Sequence, residues 1–220
     1  LKTWGWSSMS LLEERVEWVY FEGLNVRVPR GVYKPAEDTF LLAENLHVNS
    51  SETVLDMGTG CGLLAILAAE KAERVFAVDI NPYAARCASA NARLNGVHDR
   101  IHVVCGDLFN PLRNDVKFDV IIFNAPYLPS ERFRGRFKRG DWLELAWSGG
   151  EDGRGVIDRF ILEAPRRLRR GGRILLLQST LSDEEATMRS FRAAGLKVEI
   201  VAEKPLFFEK IVLLKAEKPV

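Results

Sequence analysis

The stretch Val54-Leu55-Asp56-Met57-Gly58-Thr59-Gly60-Cys61-Gly62 decides the fold. Thr53–Met57 is an apolar run of strand length, and it enters a glycine-rich turn that leaves into Leu63–Ala72, rich in the Ala and Leu of a helix. Glycines let the backbone come close to a ligand. The pattern is not the dinucleotide fingerprint, because its third glycine falls one residue early. It is not a P-loop either, because no Gly-Lys-Ser/Thr comes after it. Asp56 at the strand end would repel a phosphate, and it suits a cationic or hydroxylated ligand instead.

Strand-like and helix-like segments alternate outward from this turn. Arg74–Asp79 reads as a strand, and Asn81-Pro82 is an N-cap followed by proline at the first helical position, opening a helix that closes near Asn95-Gly96. Ile101–Cys105 and Phe118–Asn124 read as strands. Val156–Arg170 reads as a helix closed by Gly171-Gly172, with Arg166, Arg167, Arg169 and Arg170 complementing its dipole. Arg173–Gln178 is a strand, Asp183–Ala194 a helix, and Lys197–Glu203 with Phe208–Lys215 a terminal strand pair. This alternation predicts an α/β fold with a mostly parallel sheet, whose ligand sits at the carboxyl ends of the strands. Two parts break the rhythm. Residues 1–45 hold a hairpin around Gly23 and the start of a helix at Pro35-Ala36-Glu37-Asp38-Thr39. The stretch from Leu128 to Gly155 is Gly-rich, charged and long for a loop in a compact domain.

Three further strand ends carry chemistry. Asp79 closes Phe76-Ala77-Val78-Asp79, where a carboxylate can grip both hydroxyls of a ribose. Asp107, beside the apolar Leu108, can accept from an adenine amino group. Each has a plainer reading, since Asp commonly ends strands and caps the adjoining turn or helix. Their order on successive strands favours an adenosyl pocket. Phe118–Asn124 then runs into Ala125-Pro126-Tyr127. An Asn side-chain oxygen and the next carbonyl can accept two hydrogen bonds from a planar NH2 group, and Tyr127 can cover its face. The plainer alternative is an Asn-x-Pro turn ending a strand.

Composition sets the outer bounds. Of 220 residues, 47% are hydrophobic and 28% charged, enough apolar material for a sizeable core. The net charge of +1 argues against a generic nucleic-acid coat. Apolar runs such as Ile174–Leu177 are strand-sized, so no membrane span is expected, and the first residues do not read as a signal peptide. Cys61, Cys87 and Cys105 are widely spaced, form no zinc ligand set and suit a reducing, cytoplasmic setting. No metal site is expected. Arg132, Arg134, Arg136, Lys138 and Arg139, interleaved with Phe133 and Phe137, suit either a macromolecular substrate or a solvated loop.

Asp56-x-Gly58-x-Gly60-x-Gly62, Asp79, Asp107-Leu108 and Asn124-Ala125-Pro126-Tyr127, in this order, resemble a class I S-adenosylmethionine-dependent methyltransferase. More narrowly, the chain resembles the HemK-related amino-methyltransferases that carry Asn-Pro-Pro-Tyr, and within them the archaeal and eukaryotic release-factor glutamine methyltransferase branch. Val32-Tyr33-Lys34-Pro35-Ala36-Glu37-Asp38-Thr39, Ala146-Trp147-Ser148-Gly149-Gly150-Glu151-Asp152-Gly153-Arg154 and Asp158-Arg159-Phe160 carry the narrower likeness. Two residues depart from the family pattern: Ala125 replaces its first proline, and Lys34 stands where Glu is usual.

The resemblance implies a Rossmann-like seven-stranded sheet over residues 46–220, preceded by an N-terminal extension, residues 1–45. It implies S-adenosyl-L-methionine held by Thr39, Asp56, Gly58, Gly60, Gly62, Asp79, Asp107, Leu108 and Asn124. The catalytic segment would be Asn124, Ala125, Pro126 and Tyr127, acting on the glutamine of a release factor's Gly-Gly-Gln motif. An exocyclic amine of RNA or DNA presents the same planar NH2 and stays open as an alternative acceptor, as does a non-catalytic adenosyl-binding scaffold. The resemblance also implies a small zinc-binding activator subunit. Its dock would be Ile101–Cys105, an edge strand in the family's usual order, unless Trp4, Trp6 or the N-terminal hairpin covers that edge.

Overall fold

The computed structural model describes residues 16–130 and 142–220. The basic stretch Arg132–Arg139 and the residues Trp4 and Trp6 lie outside the described residues. The elements run β1 Val16–Phe21, β2 Leu24–Pro29, α1 Glu37–Glu44, β3 Thr53–Met57, α2 Leu63–Ala69, β4 Arg74–Asp79, α3 Pro82–Leu94, β5 Ile101–Cys105 and β6 Phe118–Asn124. They continue with β7 Leu128–Pro129, α4 Trp142–Leu145, β8 Ser148–Gly150, α5 Gly155–Arg167, β9 Leu168–Ser179, α6 Glu184–Ala193, β10 Lys197–Pro205 and β11 Lys210–Glu217.

Seven strands form the central sheet in the order β10-β11-β9-β6-β3-β4-β5. Contacts from β9 through β6, β3 and β4 to β5 are parallel, and β11 runs antiparallel to both β9 and β10. Both faces are covered, and the strand sequences show it. Successive residues of β6 point to opposite faces: Val120 and Ile122 join one core with Val54, Leu177 and Leu213, while Ile121 and Phe123 join another with Leu55, Leu176 and Leu214. Leu42 of α1, Leu63 of α2 and Ala84 of α3 close the first core. Ile157 and Phe160 of α5 with Phe191 of α6 close the second.

The β1–β2 hairpin is stitched to α3 by two asparagines. Buried Asn91 accepts from the Arg27 amide (3.0 Å) and donates to the carbonyls of Arg27 and Cys61 (2.8 Å each). Asn95 does the same with Asn25 one turn later. The hairpin is a separate two-stranded sheet and does not extend β5, whose one strand partner among the described residues is β4. Lys34, the departure from the family pattern, is ion-paired with Glu17 of β1.

Two expectations need correction. The helix after Gly155 stops at Arg167, where Leu168 turns extended (φ −78°, ψ 140°) to begin β9, two residues past a proline inside the last turn. Leu168–Arg170 belong to β9. The arginines there do not form one solvated helix end. Arg167 is buried, donating to the Arg113 carbonyl (2.6 Å) over the Phe109 ring, and Arg169 pairs with Asp119 (2.6 Å). Second, the stretch from Leu128 to Gly155 is not all irregular. Its described ends form a parallel pair, β7 with β8, and the single turn α4.

Candidate active site

A cleft opens at the carboxyl ends of β3, β4 and β6, roofed by α4 and the segment after it. The Gly58–Gly62 turn forms its floor. Gly62 sits at φ +89° as the N-cap of α2, and a Cβ there would meet the Ala88 backbone of α3 at 2.9 Å. Only glycine satisfies both demands. Its role is therefore helix packing; it does not line the cleft, whereas Gly58 and Gly60 do.

Asp79 is nine-tenths buried, and both its oxygens are engaged: Oδ2 accepts from the Gly60 amide and Oδ1 from the Asn81 amide, each at 2.8 Å. Burial pushes its carboxyl above the ordinary range, against the pull of those two amides. The cleft wall beside it holds Ile80, Leu108 and Asp107. Leu108 adopts φ +46°, a strained backbone for a branched residue, which turns its side chain to this wall. Asp107 is ion-paired with Arg159 of α5, also a lining residue.

Asp56 differs from expectation. It is 1% exposed and does not line the cleft. The Thr59 hydroxyl donates to its Oδ2 at 2.7 Å, so Asp56 pins the glycine turn from below. Burial raises its carboxyl to about 7, with Thr59 opposing and Asp79 adding to the rise. A strand-end carboxylate looks the same in sequence whether it faces the ligand or the turn.

The residue that sequence reasoning passed over is Asp38. From the first turn of α1 it reaches the end of β6. Its Oδ2 accepts from Asn124 Nδ2 (3.0 Å) and from the Tyr33 hydroxyl (2.9 Å), with Tyr127 Oη at 3.5 Å. Its Oδ1 accepts from the Thr39 amide (2.6 Å) and hydroxyl (3.2 Å). A carboxylate only accepts, so it fixes which way the Asn124 amide is turned. Nδ2 faces Asp38 and Thr39 Oγ1 (3.2 Å), and Oδ1 is left buried with no partner among the described residues. Burial and the Asp38 charge push both the Tyr33 and Tyr127 phenols up, so both stay protonated. The signal available in sequence was the segment Pro35-Ala36-Glu37-Asp38-Thr39 itself.

The segment from Ser148 to Gly153 packs on the backbone just after Asn124. A Cβ on Gly149 would lie 2.7 Å from the Pro126 carbonyl oxygen, and one on Gly153 would lie 2.3 Å from that of Tyr127. These glycines hold Pro126 and Tyr127 by close approach. Ser148 lines the cleft with a buried hydroxyl that has no partner. Ala125 donates its amide to the Leu177 carbonyl of β9 (3.2 Å). Among the described residues no cluster of three or more metal-ligating side chains occurs, and no helix is long and apolar enough to cross a membrane.

Sheet order, strand-end cleft and glycine turn together define a class I methyltransferase fold. A family model described as methyltransferase small domain matches residues 29–134. MJ0928 of Methanocaldococcus jannaschii, named provisionally as a protein N5-glutamine methyltransferase, is 41% identical over 90% of this chain and 98% of its own length. Mouse methyltransferase HEMK2 is 37% identical over 76% of this chain and 81% of its own. The release factor glutamine methyltransferase of Moorella thermoacetica is 34% identical over 80% of this chain and 64% of its own. The chain belongs to the HemK-related family of class I methyltransferases. Among solved structures, the E. cuniculi Mtq2–Trm112 complex, responsible for methylating the eRF1 translation termination factor, superposes with TM-score 0.64 at 24% identity, covering 86% of this chain and 99% of that one. The Thermus thermophilus 16S rRNA methyltransferase RsmC, bound to AdoMet and guanosine, reaches 0.66 at 21% identity, covering 93% and 50%. At those identities the likeness is one of fold.

Proposed function

We propose that this chain transfers a methyl group from S-adenosyl-L-methionine to the side-chain amide nitrogen of a glutamine, in the Gly-Gly-Gln motif of a class I release factor. The observation that carries this reading is the Asn124 amide: turned by Asp38 and Thr39, it presents a buried, unpartnered oxygen at the end of β6. That is the acceptor a planar NH2 group needs. The family relatives with glutamine in their names support the same choice.

The cleft fits the cofactor. Asp79, anchored by two main-chain amides, keeps lone pairs for a ribose diol. Ile80 and Leu108 supply apolar surface for a flat ring, with Asp107 at its rim. Thr39, Gly58 and Gly60 line the side nearest Asn124. Asp56 acts indirectly, by holding the turn. The bound cofactor supplies an electrophilic methyl group. The protein has to present a poor nucleophile, since an amide lone pair is delocalised into the carbonyl. Asn124 Oδ1 and the Ala125 carbonyl would hold the two N–H groups and stabilise the positive charge that grows on nitrogen as the N–C bond forms and the methyl–sulfur bond breaks, leaving a neutral thioether; the surplus N–H proton is then lost to water. Asp38 contributes by keeping Asn124 in that orientation, and Tyr127 stays a neutral phenol beside the acceptor. No protein-bound intermediate is required.

A small partner, of the zinc-binding activator kind, belongs to the same proposal. Among the described residues β5 is one edge of the sheet, with β-branched Ile101, Val103 and Val104 and one row of backbone groups that no other strand pairs. The deciding experiment offers the purified chain a release factor, its Gln-substituted form and bulk RNA, with labelled cofactor. Label on the intact factor alone is expected. Label on RNA would replace glutamine by a nucleobase amine, and label on neither, with or without a co-expressed partner, would overturn the reading.

A further inference from the structure

We propose that the tip of the β10–β11 hairpin, Leu206 to Glu209, is a clamp for the acceptor polypeptide. Glu209 takes a main-chain N–H group of the chain beside the target glutamine, and Phe207 with Phe208 seats on apolar side chains of the protein that carries it. This rests on the glutamine reading above and adds the element that recognises the substrate.

Register puts the tip at the same end of the sheet as the cleft. Asn124 at the end of β6 lies opposite Leu177 of β9, Leu177 opposite Leu213 of β11, and β11 runs back from that end. The tip is tied down from both strands. Lys204 of β10 is ion-paired with Glu37, the neighbour of Asp38 on α1. The Lys210 amide donates to Thr180 Oγ1 at 3.1 Å, and the Leu206 amide closes the turn on the Glu209 carbonyl at 2.8 Å.

Two features of this tip have no use among the described residues. Glu209 Oε2 is buried without a hydrogen-bond partner, close enough to Tyr127 for its charge to help raise that phenol. A buried carboxylate oxygen left without a donor is costly, so its donor is expected from outside. Phe207 and Phe208 are 91% and 88% exposed, packed edge to face at 4.7 Å. Adjacent aromatic side chains so fully in water are the composition of an interface anchor.

The charge around them selects the occupant. Aromatic faces alone would suit an unstacked base as well as a protein side chain. Here the exposed rings adjoin Glu209, whose carboxylate repels a phosphodiester and can accept from a peptide N–H group. A polypeptide loop is the occupant that satisfies both features.

The test is steady-state kinetics of the full chain on a release factor, with cofactor affinity by calorimetry in parallel. Glu209→Ala is expected to raise KM for the factor by about 10- to 100-fold. Glu209→Gln, which keeps an accepting oxygen, should recover most of that. Phe207→Ser/Phe208→Ser should raise KM by about tenfold. Cofactor affinity should not move in any of the three, and melting temperature should not fall. A wild type that methylates the factor, with variants of unchanged KM, would overturn the clamp and leave the glutamine reading intact. Variants that lose cofactor affinity and melting temperature together would reassign the tip to folding. A wild type that methylates RNA instead, with KM for RNA rising in the Phe variant, would overturn both.

Discussion

On one side of the cleft, Asp79 has both carboxylate oxygens held by main-chain amides, Asp56 is closed off by Thr59, and the glycine turn is locked against α3. On the other side, Asn124, Ser148 and Glu209 each keep a buried polar atom with no partner among the described residues. The first half is stiffened by its own backbone, and on the proposed reading the second is completed by the substrate. That division suits an enzyme whose small cofactor is always the same and whose acceptor must be told apart from similar groups. A site that leaves acceptors unpaired rejects anything that cannot donate to them, because the penalty for an unmade buried hydrogen bond falls on the wrong substrate.

The sharpest way to break this contrast is Asn124→Ala. Turnover should fall about 100- to 1000-fold, while cofactor affinity by calorimetry stays near wild type. Near-normal turnover would reduce the segment to a turn. Asp79→Ala should do the reverse, weakening cofactor binding by about 10- to 100-fold and removing the cofactor's thermal protection of the protein. Gly153→Ala tests the packing that joins the halves. Its φ of +76° and the 2.3 Å approach to the Tyr127 carbonyl oxygen predict a loss of about 2–3 kcal/mol, read from the denaturant midpoint.

Smaller effects are expected from the buried carboxyls. Asp56 is raised to about 7 in the folded protein, and burial raises Asp79 as well. The unfolded chain releases these protons near pH 4, so the native state binds more protons between about pH 4 and 7. Stability of the ligand-free protein should therefore fall as pH rises through that window and level off above it. Melting scans should show a decline of a few degrees, and Asp56→Asn should flatten it. The smallest change expected is Ala125→Pro. Restoring the family's proline lowers the entropy of the unfolded chain, which alone would stabilise. It also removes the amide that donates to Leu177. The two nearly cancel, leaving stability within about 1 kcal/mol of wild type by chemical denaturation.

What could be read from sequence was whatever local physics decides. Apolar runs of strand length punctuated by Gly and Asn mark β3, β4 and β6, and the Asn81-Pro82 cap of α3 forms, with the Asn81 side chain accepting from the Tyr83 amide at 2.9 Å. Relations across the chain were less accessible. Asp38 acts on Asn124 over 86 positions, and nothing near either residue announces the other. Gly149 and Gly153 look like loop glycines until the backbone they abut is in place. Asp56 has the strand-end position of a ligand-binding carboxylate, and only three-dimensional burial turns it away from the cleft. Glu209 sits in a turn of ordinary composition, and its significance emerges only when its oxygen is found without a partner.

The distribution of the three cysteines has a practical consequence. Cys61 and Cys87 are buried, and burial pushes both thiols up to about 12, so neither offers thiolate to a reagent at neutral pH. Cys105 is exposed at the end of β5, with Sγ 3.8 Å from the Ile80 carbonyl and its own thiol raised moderately, so it will react slowly but alone. A maleimide dye therefore attaches at a single native position, a few ångströms from the wall formed by Asp79 and Ile80. The wild-type protein carries its own attachment point for a fluorescent reporter of pocket occupancy, without any cysteine being engineered in or out.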